Sequence, residues 1–390
     1  MKSMARIIAI LLLTEMTMAK VDFNLSGEGV AYYQTNNDGK NDFFSQDSSR
    51  GSLGLQLDVE AKVDNGFKLG YQGTFLGTLG LDKSIISNGR QYTGANDLNG
   101  YTTTKFHLWK RFSETSFKLG RQELSEDISP MAFSEGWNVF KNTFDALVIR
   151  NEDLADTSVV AVYINKANGH NDLSSLNDLS STNGQAVDGG AYMLTILNKS
   201  FKDMPMMGSY YFLKDLNKQE NVSVFWFDVK SKQTAFNLAF QTAHINPSNT
   251  LSNTTLVGAK VSKTHNDLGF SLAYSSVSSG GLSFQNMGTQ GDVAFYTQMV
   301  NNQDHIALDA QTVVAKASAK LPVGNLTLQY GLTKDTSSFK NDFTELDVVY
   351  KFDLMATKMF VGYIRQTTEQ KIFAGEDDNN NIRIWSRYRF

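Results

Sequence analysis

The sequence NIRIWSRYRF, residues 381–390, places apolar and basic side chains at alternate positions. One parity holds Ile382, Ile384, Tyr388 and Phe390, and the other holds Arg383, Trp385, Arg387 and Arg389. Successive side chains of a β-strand point to opposite faces, so this stretch predicts a strand with one apolar and one strongly basic face. Such a strand is typical of a transmembrane barrel, in which one face meets lipid and the other meets a water-filled lumen.

The same two-residue period recurs along most of the chain. One parity near residue 57 holds Leu53, Leu55, Leu57, Val59 and Ala61, whereas the other holds Gln56, Asp58, Glu60 and Lys62. Strands of about eleven residues are long enough to cross a bilayer when they are tilted. We predict about 18 strands, an even number like that of bacterial single-chain barrels. They cover residues 21–34, 50–63, 67–78, 101–112, 115–123, 142–150, 156–166, 189–199, 206–214, 220–230, 233–244, 254–263, 267–277, 306–320, 324–334, 343–353, 357–366 and 381–390.

The predicted connections alternate between short and long. Short ones include 64–66, 113–114 and 322–324, and long ones include 36–49, 79–100, 124–141, 167–188, 278–305 and 367–380. A barrel with both termini in the periplasm has short periplasmic turns and long external loops. The chain is therefore expected to form an all-β, antiparallel, up-and-down barrel as a single domain over residues 20–390.

The amino terminus has the pattern of a secretory signal peptide. Lys2 and Arg6 precede an unbroken apolar run, residues 7–13, and residues 17–19 resemble a cleavage site, with small side chains at Thr17 and Ala19. This pattern predicts a signal peptide over residues 1–19 and export to the periplasm. The terminal Phe390 resembles the signal by which barrel proteins are recognised for assembly in the bacterial outer membrane.

The composition excludes several other classes of protein. No run of about 18 apolar residues is present, so we predict no membrane-spanning helix. The chain has 26 Phe, 15 Tyr and 4 Trp, which suits the aromatic girdles of a membrane barrel. A net charge of −4 argues against nucleic-acid binding, and the lack of cysteine excludes disulfides and thiolate metal sites.

The motifs of enzymes and cofactor sites are missing from the sequence. The five histidines are scattered, and no His-x-x-x-His pair, Gly-x-Ser-x-Gly elbow or phosphate-binding Gly-rich loop occurs. We therefore predict neither catalysis nor a bound cofactor or metal. A barrel enzyme with Ser and His near one rim is the weakest alternative.

Basic residues on the parity opposite the apolar one are candidates for the lumen wall. They are Arg383, Arg387 and Arg389 on the last strand, with Lys351, Lys260, Lys68, Lys105, His107 and Arg111 on others. Arginines spaced by two form a row with steps of about 6–7 Å, which can pass a carboxylate from one weak site to the next. The same arginines can instead pair with inward acids and brace the wall. Pairing of the first and last strands is expected to bring Arg383 and Arg387 near Glu28 and Asn24.

The third external loop, residues 124–141, is too apolar for a loop that stands in water. It contains Ile128, Pro130, Met131, Phe133, Trp137, Val139 and Phe140. A barrel of about 18 strands is also a wide pipe unless something narrows it. Both observations predict that this loop folds inward, with Glu126, Asp127 and Glu135 opposite the basic row across a constriction. The alternatives are a trimer contact and an external lid.

Three features together resemble the OprD-type porins and the related major outer-membrane porins of epsilonproteobacteria. They are the strand count, the stretch Lys118-Leu119-Gly120-Arg121-Gln122 before the third loop, and the arginine-rich closing strand. The resemblance implies a passive, substrate-selective channel that often favours small carboxylates or amino acids. It also implies a basic row at Arg383 and Arg387, with Arg365 near the outer end, opposite the acidic third loop. The middle strands show few inward Lys or Arg, which predicts a shorter basic track than in that family.

The sequence therefore predicts an outer-membrane porin through which small polar or anionic solutes diffuse. The alternative is a structural barrel or adhesin with a plugged lumen, whose external loops bind a partner. Composition does not separate a monomer from a homotrimer, because surfaces that face lipid and surfaces that face another subunit are alike.

Overall fold

The computed structural model describes residues 21–90, 100–136, 139–168, 177–181, 185–218, 220–233, 235–338, 341–370 and 375–390. The predicted signal peptide, residues 1–19, lies outside the described residues, as does Trp137 of the third loop. Within those ranges the chain forms β-strands, one 3₁₀ turn at Leu81–Lys83 and one short helix, α1, at Gln303–Ile306. No helix in the described part of the chain is long and apolar enough to cross a membrane.

The strands agree closely with those expected from the two-residue period. The first half consists of β1 (Val21–Asn37), β2 (Ser49–Val63), β3 (Lys68–Gly77), β4 (Gly100–Phe112), β5 (Thr115–Gln122), β6 (Phe144–Asn151), β7 (Thr157–Ala167), β8 (Asn177–Ser181), β9 (Gln185–Val187) and β10 (Ala191–Asn198). The second half consists of β11 (Met206–Leu216), β12 (Glu220–Lys232), β13 (Asn237–Pro247), β14 (Thr254–His265), β15 (Leu268–Val277), β16 (Ala310–Lys320), β17 (Asn325–Asp335), β18 (Asn341–Leu354), β19 (Thr357–Gln370) and β20 (Gly375–Arg389).

Eighteen of these strands close into one antiparallel barrel, as predicted. Each barrel strand pairs with the next, and β7 pairs directly with β10. β8 and β9 form a short hairpin, in which β8 also pairs with the end of β7 and β9 with the end of β11. Closure comes from β1 and β20, which pair from Glu28 with Arg389 to Asn37 with Asn380. A closed barrel leaves no strand edge with unpaired backbone groups, which hydrocarbon would not tolerate.

Burial separates the two faces of the wall. On β17 the side chains of Leu326, Leu328, Tyr330 and Leu332 are exposed, whereas Gln329 and Thr333, on the opposite parity, are buried. Water would not hold such an apolar outer surface, so the exposed parity is the one that faces lipid. The buried parity faces the interior of the barrel and sets the direction of every side chain discussed below.

The largest apolar cluster combines side chains of the wall with side chains of two loops. It joins inward side chains of β6 to β15 with loop side chains such as Met131, Leu282 and Phe284. Trp226 of β12 lies 6.2 Å from Phe295 and 6.4 Å from Phe284, measured between ring centroids. The loops between β5 and β6 and between β15 and β16 therefore pack on inward wall residues.

The prediction of one long external loop was wrong. Residues 367–380 were expected to form an external loop, but β19 and β20 extend through most of them as a hairpin. Thr367 pairs with Asp378, and Tyr363 Oη donates a hydrogen bond to Asn380 Oδ1 at 2.7 Å. Polar side chains dominate this stretch and hide its strand period, because both faces of the hairpin are polar.

Candidate functional site

The closing wall of the barrel carries the predicted basic row. Arg383, Trp385 and Arg387 lie on the inward parity of β20 and pair with Gln34, Tyr32 and Val30 of β1, whose side chains lie on the same face. Directly paired residues of adjacent antiparallel strands share one face of the sheet. The register therefore places these three side chains on the inward face, as predicted.

Arg387 and Arg389 both pair with a single carboxylate. Arg387 Nη1 lies 2.7 Å from Glu28 Oε1, and Arg389 Nε lies 2.6 Å from Glu28 Oε2. Arg389 is 69% exposed at the side chain, whereas Arg387 and Glu28 are mostly covered. The guanidinium of Arg387 also lies 4.8 Å from the ring centroid of Trp385. At this end of β20 the arginines brace the wall.

Arg383 has a different environment from Arg387. Arg383 was expected near Glu28 and Asn24, but this was wrong. The register pairs it with Gln34, six positions beyond Glu28 along β1. Its side chain is buried, and its Nη2 donates to Asn301 Oδ1 at 3.1 Å. Among the described residues its Nε has no hydrogen-bond partner, and Arg383 forms no salt bridge. Its charge is therefore not cancelled by a direct carboxylate contact in the described part of the chain.

Two further arginines near Arg383 were not identified from the sequence. Arg50 of β2 pairs with Gln34, which pairs in turn with Arg383, so the three side chains cross β2, β1 and β20 on one face. Arg90 follows the 3₁₀ turn. Ser52 Oγ donates a hydrogen bond to Arg90 O at 2.8 Å and accepts one from Arg90 N at 2.9 Å. Burial lowers the pKa of the Arg90 guanidinium, and the charges of Arg383 and Arg50 lower this pKa further. Three cations therefore lie close together.

The remaining members of the predicted basic row divide between the two faces. Lys351 lies inward on β18, with its Nζ 5.7 Å from the ring centroid of Phe360. Arg365 does not lie inward: it shares the parity of the exposed Val361 and Tyr363 and pairs with Asp378 at 3.1 Å. The inward position for Arg365 was wrong, because the strand period places odd-numbered residues of β19 on the lipid-facing parity.

The middle strands carry three inward lysines, of which only Lys260 was predicted. Lys230 of β12, Lys260 of β14 and Lys316 of β16 all lie on the buried, inward parity of their strands. Lys230 and Lys260 are both paired with Ala239 of β13, so they lie on one line across three strands. The inward basic surface therefore extends well beyond the closing wall.

The acids of the third loop occupy two different environments. Glu135 is buried and accepts hydrogen bonds from Asn286 Nδ2 at 2.8 Å and from Thr289 Oγ1. Glu126 and Asp127 are exposed to solvent. The Glu126 side chain reaches water but lies in a hollow of the protein, and the resulting desolvation raises its pKa. The neighbouring charge of Asp127 raises this pKa further.

Asp292, in the loop between β15 and β16, was missed by sequence reasoning. Burial raises its pKa well above the usual range, the charge of Glu135 adds to this, and the charge of Arg383 opposes it. Asp292 is therefore close enough to feel both the acids of the third loop and the cation of the closing wall. A strand period carries no information about where such a loop residue lies, so no sequence signal indicated it.

The two loops are joined to each other and to the wall. Phe133 N donates to Asn286 Oδ1 at 3.2 Å, and Met287 N donates to Met131 O at 2.9 Å. Thr195 Oγ1 of β10 donates to Ile128 O at 2.8 Å, and Met131 N donates to Tyr211 Oη of β11 at 3.2 Å. Thr195 and Tyr211 both belong to the buried parity of the wall.

The loop between β15 and β16 is tied to two buried acids of β18. Asn301 N donates to Glu345 Oε1 at 2.9 Å, and Val300 N donates to Asp347 Oδ2 at 3.3 Å. Since Asn301 also accepts the hydrogen bond from Arg383, this loop, β18 and β20 form one connected polar network. In the described part of the chain no group of three His, Asp or Glu residues has the arrangement of a metal site.

Comparison with known proteins gives a fold but no sequence relative. The sequence matches no protein-family model and no curated protein. The structure is similar to that of OccK8 (OprE) of Pseudomonas aeruginosa, with 12% identity, coverage of 95% of this chain and 98% of that chain, and a TM-score of 0.73. OpdK of Pseudomonas aeruginosa, solved with vanillate, is 14% identical, with coverage of 95% of this chain and 98% of that chain and a TM-score of 0.74. OccAB4 of Acinetobacter baumannii is 13% identical, with coverage of 96% of this chain and 99% of that chain and a TM-score of 0.74.

These similarities cover almost the whole length of both chains in each pair. They agree with the closed barrel, its lipid-facing apolar parity and its polar interior. The chain is a membrane β-barrel of the outer-membrane type and has the OprD-type fold.

Proposed function

We propose that the protein is an outer-membrane porin, a passive channel for small polar solutes with a preference for carboxylates. The observation that supports this most directly is the cation group Arg50, Arg90 and Arg383, which lies within electrostatic reach of Asp292 and Glu135. Opposite charges across a narrow aqueous passage orient a dipolar solute and raise the local concentration of an anion. No cofactor or energy source is needed for movement down a gradient.

The third loop is proposed to fold into the lumen and narrow it. Its hydrogen bonds to Thr195 and Tyr211 support this, because both wall residues are on the inward parity. Burial of Met131, Ala132 and Phe133 supplies the apolar contact that holds the loop in place. Trimer contact and lid formation, by contrast, would place these side chains at the outer surface.

The carboxylate preference rests on how Arg383 is held. A guanidinium that donates to an amide rather than to an acid keeps most of its charge available for a passing anion. One of the similar structures was solved with vanillate, an aromatic carboxylate, which makes vanillate a suitable probe for this chain.

The competing function is a structural barrel with a plugged lumen. The same apolar contacts of the two loops support it, because they fill part of the interior. Single-channel recording in planar bilayers separates the two: a porin gives stepwise conductance, and a plugged barrel gives none. Cross-linking in membranes would decide between a monomer and a homotrimer, which the sequence left open.

Loop deletion tests the proposed constriction. Deleting Ile128–Phe133 should raise single-channel conductance if the loop narrows the pore. The matched control deletes the same number of residues, Asp38–Phe43, from the first external loop, whose side chains are mostly exposed. Equal conductance of wild type and both variants would place the third loop outside the conducting path.

A further inference from the structure

Two apolar furrows lie side by side on the lipid-facing surface of β12 to β17. The first has a volume of about 480 Å³ and the second about 460 Å³, and Val261 and Leu272 line both of them. Val261 is 38% exposed and Leu272 is 50% exposed, which places this shared rim on the outward parity. The furrows are therefore neighbours on the surface that meets lipid.

The floor of each furrow is formed by alanine between larger side chains. Ala259 of β14 is paired with Phe240 on one side and with Tyr274 on the other. Ala315 and Ala317 of β16 lie in the same way between larger side chains of β15 and β17. The furrows therefore follow β14 and β16, which are two strands or roughly 10 Å apart, and the side chains of β15 form the ridge between them.

Lys263 lies where the two furrows approach the short turns. It is on the outward parity of β14, two residues after Val261, and it lines the second furrow. Only Asn266 and Asp267 separate β14 from β15, and Lys263 is two residues, or about 7 Å, from the end of its strand. Short turns of outer-membrane barrels are periplasmic. Lys263 is therefore at the level of the lipid headgroups of the periplasmic leaflet.

The charge of Lys263 has no partner within the protein. The side chain is exposed and forms no salt bridge among the described residues. The outward residues in line with it on the next three strands are uncharged, namely Phe270, Ala317 and Leu328. Asp267 is exposed in the turn beyond the strand, where water and salt screen its charge. A cation on a lipid-facing surface is costly unless it reaches an anion or water, and here the lipid phosphates are the anions at its level.

Lys110 of β4 shows the contrasting case of an outward cation that the protein itself satisfies. It shares the parity of the exposed Phe106 and Phe112 and is also near a short turn. Its Nζ donates to Asn65 O and lies 4.4 Å from the ring centroid of Phe67. Lys110 therefore has its contacts supplied from within the chain, whereas Lys263 does not.

We propose that the two furrows and Lys263 form a binding site for one glycerophospholipid of the periplasmic leaflet. The phosphate lies beside Lys263, and the two acyl chains follow β14 and β16 on either side of the β15 ridge. Lipid tails are as apolar as the furrows, so the chains gain close packing, and the charge-assisted phosphate contact gives the selectivity. The site is on the outer surface, so it does not depend on the proposed channel.

A second copy of the chain is the competing occupant of the furrows. Subunits of a membrane oligomer have the same orientation, so periplasmic ends meet periplasmic ends. The outward acids Asp342 and Asp378 lie at the far ends of β18 and β20, near the external side. They would therefore not reach Lys263 of a neighbouring subunit, whereas a phosphate in the periplasmic leaflet would. Charge complementarity favours the phospholipid.

The test uses the full chain in detergent, native mass spectrometry and two lipids with the same acyl chains. Dioleoyl phosphatidylglycerol carries a phosphate, and monogalactosyl dioleoylglycerol carries none. Wild type should retain one phosphatidylglycerol about tenfold more tightly than the glycolipid, because one charge-assisted contact is worth about that factor.

The variants separate the phosphate contact from the packing of the chains. Lys263→Gln should lower the affinity for phosphatidylglycerol to that for the glycolipid, and Lys263→Arg should keep it. Lys110→Gln is the matched control for charge and should change neither affinity. Ala317→Phe fills the second furrow and should weaken both lipids. Ala161→Phe, at an outward position of β7, is the control for bulk and should weaken neither.

Two results would overturn the site. The first is equal retention of the two lipids by wild type, or equal retention of phosphatidylglycerol by wild type and Lys263→Gln. The second is a lipid-free oligomer of the wild type that Ala317→Phe converts to monomers, which would assign the furrows to a second copy. Heat-dependent migration on denaturing gels checks that each variant has formed a barrel. Single-channel conductance should be the same in all variants, so failure of the lipid site leaves the porin proposal unaffected.

Discussion

Arg387 and Arg383 lie on the same face of the same strand, four residues apart, and have opposite environments. Arg387 shares the carboxylate of Glu28 with Arg389 and lies over Trp385. Arg383 donates to an amide on a loop and lies within the field of two other arginines and an acid with a raised pKa. The sequence left open whether these arginines bind solute or brace the wall. The environment of Arg387 favours a brace, whereas that of Arg383 favours solute binding. The end nearer the carboxyl terminus has the contacts of a brace, and we propose that the other end, at Arg383, is a selectivity site.

The largest effect on the brace should come from removing its carboxylate. Glu28→Gln leaves Arg387 covered and without its acid, which should lower the free energy of unfolding by about 2 kcal/mol, less than for a dry interior because the lumen contains water. Urea unfolding in phospholipid vesicles, followed by tryptophan fluorescence, measures this change.

The matched control for the brace is Arg389→Gln. The Arg389 side chain is 69% exposed, and an exposed ion pair contributes at most about 1 kcal/mol. Equal destabilisation by the two variants would mean that Glu28 acts through general packing rather than through the covered Arg387.

The next effect concerns Arg383. Arg383→Gln keeps a donor for Asn301 and removes the charge, so the preference for anions should fall by roughly two- to threefold in permeability ratio. Reversal potentials in a salt gradient, with chloride and then with vanillate, measure the ratio.

Arg387→Gln sharpens this contrast, because its charge is already balanced by Glu28. It should leave the permeability ratio close to that of wild type. A larger change for Arg387→Gln than for Arg383→Gln would reverse the roles assigned to the two positions.

A smaller effect should appear on changing the pH. The raised pKa of Asp292 means that, as the pH falls, this carboxyl takes up a proton earlier than an ordinary aspartate does. The acidic side then loses charge while Arg383 keeps its own, so anion preference should rise as the pH falls through this raised pKa. Asp292→Asn should flatten that part of the pH profile.

The same shift has a defined effect on stability. The folded state holds the Asp292 proton to a higher pH than the unfolded state does, so the free energy of unfolding should decrease as the pH rises from the usual aspartate range to the raised pKa. Asp292→Asn should remove this dependence. An unchanged pH profile of stability in the variant would show that Asp292 ionises normally in the folded barrel.

The sequence predicted the barrel well because a wall that separates lipid from water imposes a period of two on every strand. That period gave the strand number and the inward direction of Arg383, Arg387 and Lys351. It gave no information on register, and for this reason Arg383 was expected near Glu28 instead of Gln34. Loop residues such as Arg90 and Asp292 follow no period at all. Their positions depend on contacts with distant wall residues. For this reason the sequence identified Glu135 among the acids of the candidate site but not Asp292.

The smallest expected effect belongs to Arg365, and it tests the parity rule itself. Arg365 lies on the lipid-facing parity near the external end of β19 and pairs with Asp378 at 3.1 Å, with both side chains about half exposed. Arg365→Gln should therefore leave conductance and the permeability ratio unchanged and should cost less than about 1 kcal/mol of stability. Lys351→Gln, on the inward parity of the neighbouring strand, removes the same charge and should lower anion preference measurably. If the two variants changed selectivity equally, the lumen charge would act through the wall as a whole, and the distinction between inward and outward parity would not govern selectivity on these strands.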